Sequence, residues 1–164
     1  MSDQNLTVED VIRNSDLCEN MQEMHIEFCR FLKDNEFAVE PEDHTEADVS
    51  GWKIIHMTEC VGHMNFANVG IWIDTCDFGE NEPANDDLKA FAWAHVRTCD
   101  HFSSGGNRCG CGRQPGFSRT IFGKQHDNLC FALLEFLSPD VKTLGNIKKL
   151  MLLLKQNKRA AQRA

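Results

Sequence analysis

The residues best suited to chemistry are four cysteines in the second half of the chain. They follow the pattern C-x9-C-x-C-x18-C and are Cys99, Cys109, Cys111 and Cys130. Structural zinc is held by four thiolate or imidazole ligands in a tetrahedron, and a glycine-rich loop can bring thiolates into that geometry. Five glycines lie within residues 105–116, and ordering them costs conformational entropy that a bound metal would offset. We therefore predict a structural zinc site formed by these four cysteines.

Two histidines compete with the cysteines for places in that site. His101 follows Cys99 by two residues, and His126 precedes Cys130 by four. Because an imidazole can replace a thiolate at zinc, the sequence leaves the exact ligand set open.

A second cluster of metal-ligand residues consists of His56, Cys60, His63 and Cys76. Successive side chains of a strand point to opposite faces, so His56 and His63 converge only if the turn between them reverses the chain suitably. Separate structural roles are the simpler interpretation, and a second site stays an open alternative.

A reactive thiol is the enzymatic alternative. It would use Cys130 or the pair Cys109 and Cys111, and it requires a thiol whose pKa is lowered by a base or a helix N-terminus. Two cysteines have a histidine close to them in sequence. Cys130 with His126, and Cys60 with His63, are therefore the candidate thiol–base pairs.

Several nucleotide-binding and hydrolase signatures are missing from the sequence. We find no P-loop, dinucleotide fingerprint, nucleophile elbow or zinc-protease motif. We therefore assign no catalytic residue and expect a non-enzymatic binding or regulatory module. Its zinc-organised loop would present a surface to an unknown protein or small ligand, and the alternative is a thiol-based oxidoreductase or cysteine hydrolase.

Length and composition predict one globular domain over residues 1–164. Hydrophobic residues make up 41% of the 164 and charged residues 26%, which are ordinary values for a globular protein.

The sequence has no apolar run of the ~20 residues that a membrane helix needs, and its first residues lack the features of a signal peptide. We therefore expect a cytoplasmic protein without a membrane partner. In that reducing compartment, the eight cysteines favour free thiols or metal ligands over disulfides.

Charge is distributed unevenly along the chain, whose formal net charge is −8. Residues 1–50 carry three basic and fourteen acidic groups, whereas residues 142–164 carry seven basic groups and no acidic ones. A nucleic-acid partner would bind the basic tail, but the net negative charge of the whole chain argues against such a partner. We expect the last helix to lie near the acidic first helix, and residues 157–164 to fray.

The pattern of apolar residues predicts an α+β fold. It indicates an antiparallel sheet of about five strands packed with a long N-terminal helix, a middle helix near residues 85–98 and a final helix near 139–156. The strands are expected at residues 52–57, 63–66, 69–74, 120–122 and 129–136. The N-terminal helix carries an apolar stripe and is interrupted near Asn14. Residues 36–50 contain Pro41 and are expected to form an exposed connection.

The C-terminal third resembles part of a known group of sequences. The resemblance rests on the run Gly112-Arg-Gln-Pro-Gly-Phe-Ser-Arg-Thr-Ile-Phe-Gly-Lys124, on Asp127-Asn-Leu-Cys130 and on Ser138-Pro-Asp140. These segments are similar to the C-terminal part of small, cysteine-containing bacterial proteins of unassigned function. The resemblance implies a bacterial cytosolic domain in which the cysteines of the loop and of the last strand belong together, and it implies no activity.

Overall fold

The computed structural model describes residues 7–42, 51–66, 69–74, 78–99 and 116–161. Four helices lie in these ranges: α1 (Val8–Arg13), α2 (Glu19–Asp34), α3 (Asp86–Ala94) and α4 (Val141–Ala161). Seven strands are described, namely β1 (Ala38–Pro41), β2 (Gly51–His56), β3 (Glu59–Asn65), β4 (Gly70–Ile73), β5 (Val96–Thr98), β6 (Phe117–Ile121) and β7 (Lys124–Leu137).

The described strands form one sheet in the order β1-β2-β3-β4-β7-β5, with β6 paired to β7. The α+β class is right, but the prediction of about five strands is wrong, because β1 and β5 were not anticipated. β1 contains Pro41, which a sheet tolerates at its edge, and β1 is the terminal strand of the order. β5 lies inside the range predicted for the middle helix, which ends at Ala94.

The expected long N-terminal helix is two helices. Thr7 caps α1 through a reciprocal capping box with Asp10, and α1 ends at Arg13. The backbone leaves the helical path at Asn14 and resumes it after Cys18. The apolar stripe predicted for this helix is Leu17, Met21, Met24, Phe28 and Phe31. The buried side of α2 consists instead of His25, Ile26, Phe28, Cys29 and Leu32, so Phe28 alone belongs to both sets.

The chain divides into two compact units. The first unit comprises residues 1–71 and 137–148, and its buried strand residues include Trp52, Ile54 and Met64. The buried side of α2 meets this layer where the ring of His25 lies edge-on to Phe66, with 5.7 Å between ring centroids.

The second unit comprises residues 72–136 and 149–164. Its helix α3 is capped by Asn85, whose side-chain oxygen accepts a hydrogen bond from the Leu88 amide at 2.9 Å. The ring of Phe91 on α3 stacks on Phe136 of β7, with 5.5 Å between centroids. This stacking joins the middle helix to the strand that crosses the unit.

Helix α4 is longer at its C-terminal end than predicted. Asp140 caps it by accepting a hydrogen bond from the Thr143 amide at 2.7 Å, and the helix continues to Ala161. Residues 157–161, which we expected to fray, are therefore helical, and residues 162–164 lie outside the described residues. Nζ of Lys148 lies 2.5 Å from Oε1 of Glu27 on α2, which agrees with the expected contact between the basic last helix and the acidic N-terminal region.

Within the described residues, none of the helices combines the length and the apolar character that spanning a membrane requires.

Candidate metal centre

Two potential metal ligands, Cys60 and His63, lie three residues apart on β3. On a regular strand, such residues point to opposite faces of the sheet. The pairing between β2 and β3 is irregular at this point, because Ile54 lies opposite Gly62 whereas the next residue, Ile55, lies opposite Cys60. β3 therefore contains one more residue than β2 between these pairs, which is a β-bulge.

The bulge puts Cys60 and His63 on the same face of the sheet. Cys60 lies opposite Ile55 and His63 lies opposite Lys53, two residues of β2 that share a face because they are two positions apart. We call this face of β2 and β3 the open face. Sγ of Cys60 lies 3.7 Å from Nε2 of His63, and both side chains are accessible to solvent.

A carboxylate reaches the same imidazole from the edge of the sheet. Oε1 of Glu42, the residue after β1, lies 3.2 Å from Nε2 of His63. The Glu42 amide donates a hydrogen bond to the carbonyl oxygen of Gly51 at 3.0 Å, which sets Glu42 opposite the first residue of β2. A Cβ atom on Gly51 would lie 2.6 Å from Oε2 of Glu42. The carboxylate therefore crosses β2 in the space that glycine leaves.

Cys60 and His63 form a pair that could take part in holding a metal ion. Each offers one ligand atom, and the two atoms lie 3.7 Å apart. Thiolate and imidazole are two of the ligand types that zinc takes in proteins, so the pair suits that ion.

His56, which the sequence grouped with Cys60 and His63, lies elsewhere. Its side chain is buried, its Nδ1 lies 3.3 Å from the carbonyl oxygen of Glu36, and its ring packs on Phe37 with 4.8 Å between centroids. His56 is two positions from Ile54 on β2 and shares its buried face rather than the open face. Of the four residues in that predicted cluster, the structure brings Cys60 and His63 together, and Cys76 lies outside the described residues.

The structure describes two of the four cysteines of the predicted zinc site. Cys99 and Cys130 are both buried, 6% and 8% exposed. The Cys99 amide donates to the carbonyl oxygen of Asn128 at 2.7 Å, two residues before Cys130 on β7. Backbone pairing thus holds these two positions in the same part of the second unit.

The remaining candidates of that site are Cys109, Cys111 and His101, and they lie outside the described residues. His126 lies on β7 opposite Arg119. Within the described ranges, it does not join Cys99 and Cys130 in a group of three converging ligand atoms. Zinc binding by the four cysteines therefore stays a prediction.

Sequence reasoning missed the carboxylate of Glu42 beside His63. Glu42 gave no local signal, because it is one of many acidic residues in a segment that was expected to be a connection. Its position depends on pairing with Gly51, which becomes apparent only in the folded sheet.

The described cysteines differ sharply in accessibility. All five are free thiols, and Cys18 and Cys60 are exposed whereas Cys29 is buried among the core residues of α2. Burial raises the pKa of the Cys29 thiol to about 12, with a smaller contribution from Glu9. A protonated, enclosed thiol is a poor nucleophile and a poor metal ligand, so thiol chemistry in the first unit falls to accessible residues such as Cys60.

Comparison of the chain with protein-family models, with curated proteins and with solved structures finds no match. The function proposed below therefore rests on the geometry of the residues described above.

Proposed function

We propose that the protein is a small, non-enzymatic zinc-binding module of the cytosol, whose ion is held by Cys60 and His63 of the first unit. The observation that carries this proposal is the 3.7 Å separation between Sγ of Cys60 and Nε2 of His63. A tetrahedral zinc ion with ordinary Zn–S and Zn–N bond lengths requires about 3.6 Å between two such ligand atoms. The bulge in β3 therefore holds the two donors at the spacing of zinc ligands.

A thiol-based enzyme is the competing function class, because a thiol beside an imidazole is also the start of a nucleophile–base pair. In a catalytic triad the thiol or hydroxyl faces one ring nitrogen and the carboxylate orients the other. Here Cys60 and Glu42 both face Nε2 of His63. Glu42 therefore does not orient the other ring nitrogen as the carboxylate of a triad does, which favours metal binding over thiol catalysis.

The role of the ion would be to fix a surface that binds a protein or a small ligand. The open face carries the half-buried side chains of Lys53, Ile55 and His63. A zinc ion among them would add a rigid, positively charged point to this face. The free thiols of the described cysteines are what a reducing compartment such as the cytosol would maintain.

Metal analysis of protein purified without added zinc tests the proposal. We expect about one equivalent of zinc in the wild-type protein and a loss of that zinc in the variants C60S and H63N. Both side chains are accessible, so these changes should leave the fold intact. C18S is the matched control, because Cys18 is an exposed thiol at the start of α2 and should not affect the zinc content.

The double variant C109S/C111S separates this proposal from the predicted loop site. Zinc that survives in C109S/C111S and disappears in C60S supports the site on β3. The reverse result would overturn it and favour the four-cysteine site. Metal-free, fully folded protein with one hyper-reactive thiol at Cys60 would also overturn it, and would favour a thiol-based enzyme.

A further inference from the structure

We infer that the first unit binds a small molecule with an apolar body and one carboxylate, in a cavity formed by α1, α2 and β1. The cavity has a volume of about 460 Å³, which is within the range of small-molecule sites in proteins. All of its lining residues belong to the first unit. None of them is Cys60, His63 or Glu42, so this inference goes beyond the proposed metal centre.

A reversal of the chain directly after α2 shapes the cavity. Glu36 has a φ of 67°, and its amide donates a hydrogen bond to the carbonyl oxygen of Lys33 at 3.1 Å. The next amide, that of Phe37, donates to the carbonyl oxygen of Leu32 at 2.9 Å. A left-handed residue with these two bonds is a common way for a helix to end. It makes β1 begin beside the last turns of α2, and α1 lines the remaining side.

The two acidic side chains of the lining are already bound to protein groups. Both carboxylate oxygens of Glu9 accept hydrogen bonds from the guanidinium group of Arg30, at 3.3 and 2.9 Å. Oδ2 of Asp10 accepts hydrogen bonds from the hydroxyl and the amide of Thr7, at 2.6 and 3.0 Å, and these bonds lower the pKa of the Asp10 carboxyl. The two carboxylates therefore stay ionised at neutral pH and are occupied by Arg30 and Thr7.

Lys33 supplies a positive charge that a ligand can use. It lies in the last turn of α2 and is exposed, and among the described residues no side chain pairs with its ammonium group. Arg13, a further basic residue of the lining, lies 3.3 Å from Glu23, which is outside the cavity. Three basic and two acidic side chains line the cavity, so its charge favours an anion over a cation.

The rest of the lining is largely apolar. Phe37 and Cys29 are buried, and Val8 and Val39 are half-buried. Burial raises the pKa of the Cys29 thiol to about 12, with a smaller contribution from Glu9, so this thiol is neutral and acts as apolar surface. An apolar wall beside one unpaired ammonium group is complementary to a carboxylate with a hydrocarbon body.

Titration of isotope-labelled protein with decanoate, below the concentration at which decanoate forms micelles, tests the inference by NMR. We expect saturable shifts of the amide signals of α1, residues 29–33 and residues 37–39. Decanol, which has the same chain without the charge, should bind about tenfold more weakly, and K33Q should weaken decanoate binding by a similar factor. K142Q is the matched control, because Lys142 is an exposed lysine of α4 that does not line the cavity.

The variant A38F tests the cavity itself. Ala38 is an exposed residue of β1 that lines the cavity, so phenylalanine should fill the space without disturbing the core, and decanoate binding should be lost. Circular dichroism checks the fold of each variant, and K33Q serves alone if A38F does not fold. Absent or scattered shifts, equal affinities for decanoate and decanol, or wild-type decanoate affinity in K33Q would overturn the inference. The zinc content of C60S and H63N tests the proposed function separately.

Discussion

Nε1 of Trp72 donates a hydrogen bond to Oε2 of Glu135, with 2.8 Å between the two atoms. The same oxygen lies 2.9 Å from a guanidinium nitrogen of Arg97, and the Glu135 side chain is 26% exposed. The three residues belong to β4, β7 and β5, which are neighbours in that order. One carboxylate therefore links three adjacent strands.

Replacing Glu135 with Ala should lower the free energy of unfolding by about 1–3 kcal/mol, because Trp72 and Arg97 both lose their acceptor. Urea unfolding followed by circular dichroism measures the loss. The variant E135Q retains an acceptor for Trp72 but not the charge that pairs with Arg97, so it should lose less. Equal losses in the two variants would contradict this assignment.

Thiol accessibility predicts a pattern of alkylation. In metal-free native protein, iodoacetamide should modify Cys18 and Cys60 quickly, because both are exposed, and should modify Cys29, Cys99 and Cys130 slowly, because they are buried. Cys29 should be the slowest in the first unit, since burial raises the pKa of its thiol to about 12. Peptide mass mapping gives the rates. Unfolding in urea is the control, and it should make all five rates similar.

Acid should destabilise the protein through His25. This side chain is buried, its Nδ1 donates a hydrogen bond to the Met21 carbonyl at 2.8 Å, and no other described group bonds its Nε2. Burial lowers the pKa of His25 below the ordinary 6.5, and the bond to Met21 opposes the shift more weakly. The unfolded chain therefore binds the proton more readily than the folded protein does. The resulting stability is complete above pH 6.5 and is lost as the pH falls below it.

The variant H25M tests that dependence, because methionine fills an apolar site without a titratable group. The melting temperature of the wild-type protein should fall between pH 7 and pH 5 by more than that of H25M. Parallel curves for the two proteins would show that other groups cause the acid sensitivity. Folding at each pH is checked by circular dichroism before the comparison.

Shortening the Ile54 side chain, which lies in the core beside the bulge, should lower the free energy of unfolding strongly. Ile54 is fully buried and lies opposite Gly62, where the register shifts. I54A should lower the free energy of unfolding by about 2–5 kcal/mol, whereas I54V should cost only about 0.5–1.5 kcal/mol. Urea titration of both variants measures the difference. A small loss in I54A would mean that this layer repacks readily.

The periodic elements were predictable from sequence, because their signals are local. Three helices begin beside residue types that favour helix starts, because the side chains of Thr7, Asn85 and Asp140 accept hydrogen bonds from backbone amides of the first turn. β1 and β5 were not predictable in the same way. Each is three or four residues long and depends on a partner strand, so the proline in one and the adjoining helical pattern in the other dominated the local signal.

The site was only half predictable for a related reason. Cys60 and His63 were recognisable as ligand types, but strict alternation assigns them to opposite faces. The bulge that reverses this depends on how β3 pairs with β2. Gly62 beside Val61 is a signal for a bulge, because an isolated glycine in a strand often marks one, but the glycine alone does not give the register. The position of Glu42 depends in addition on the pairing of the β1 edge with Gly51 of β2.

The bulge in β3 also means that one metal site can be encoded by two different spacings. A C-x-H pair on an unbroken strand directs thiol and imidazole to one side, and the C-x2-H pair of this chain does the same because Val61 is accommodated in the bulge. A distant homologue that lacks one residue here could therefore keep both ligands in register. A search for the site by a fixed ligand spacing would miss such homologues, whereas a search that allows one residue of length variation between the two donors would find them.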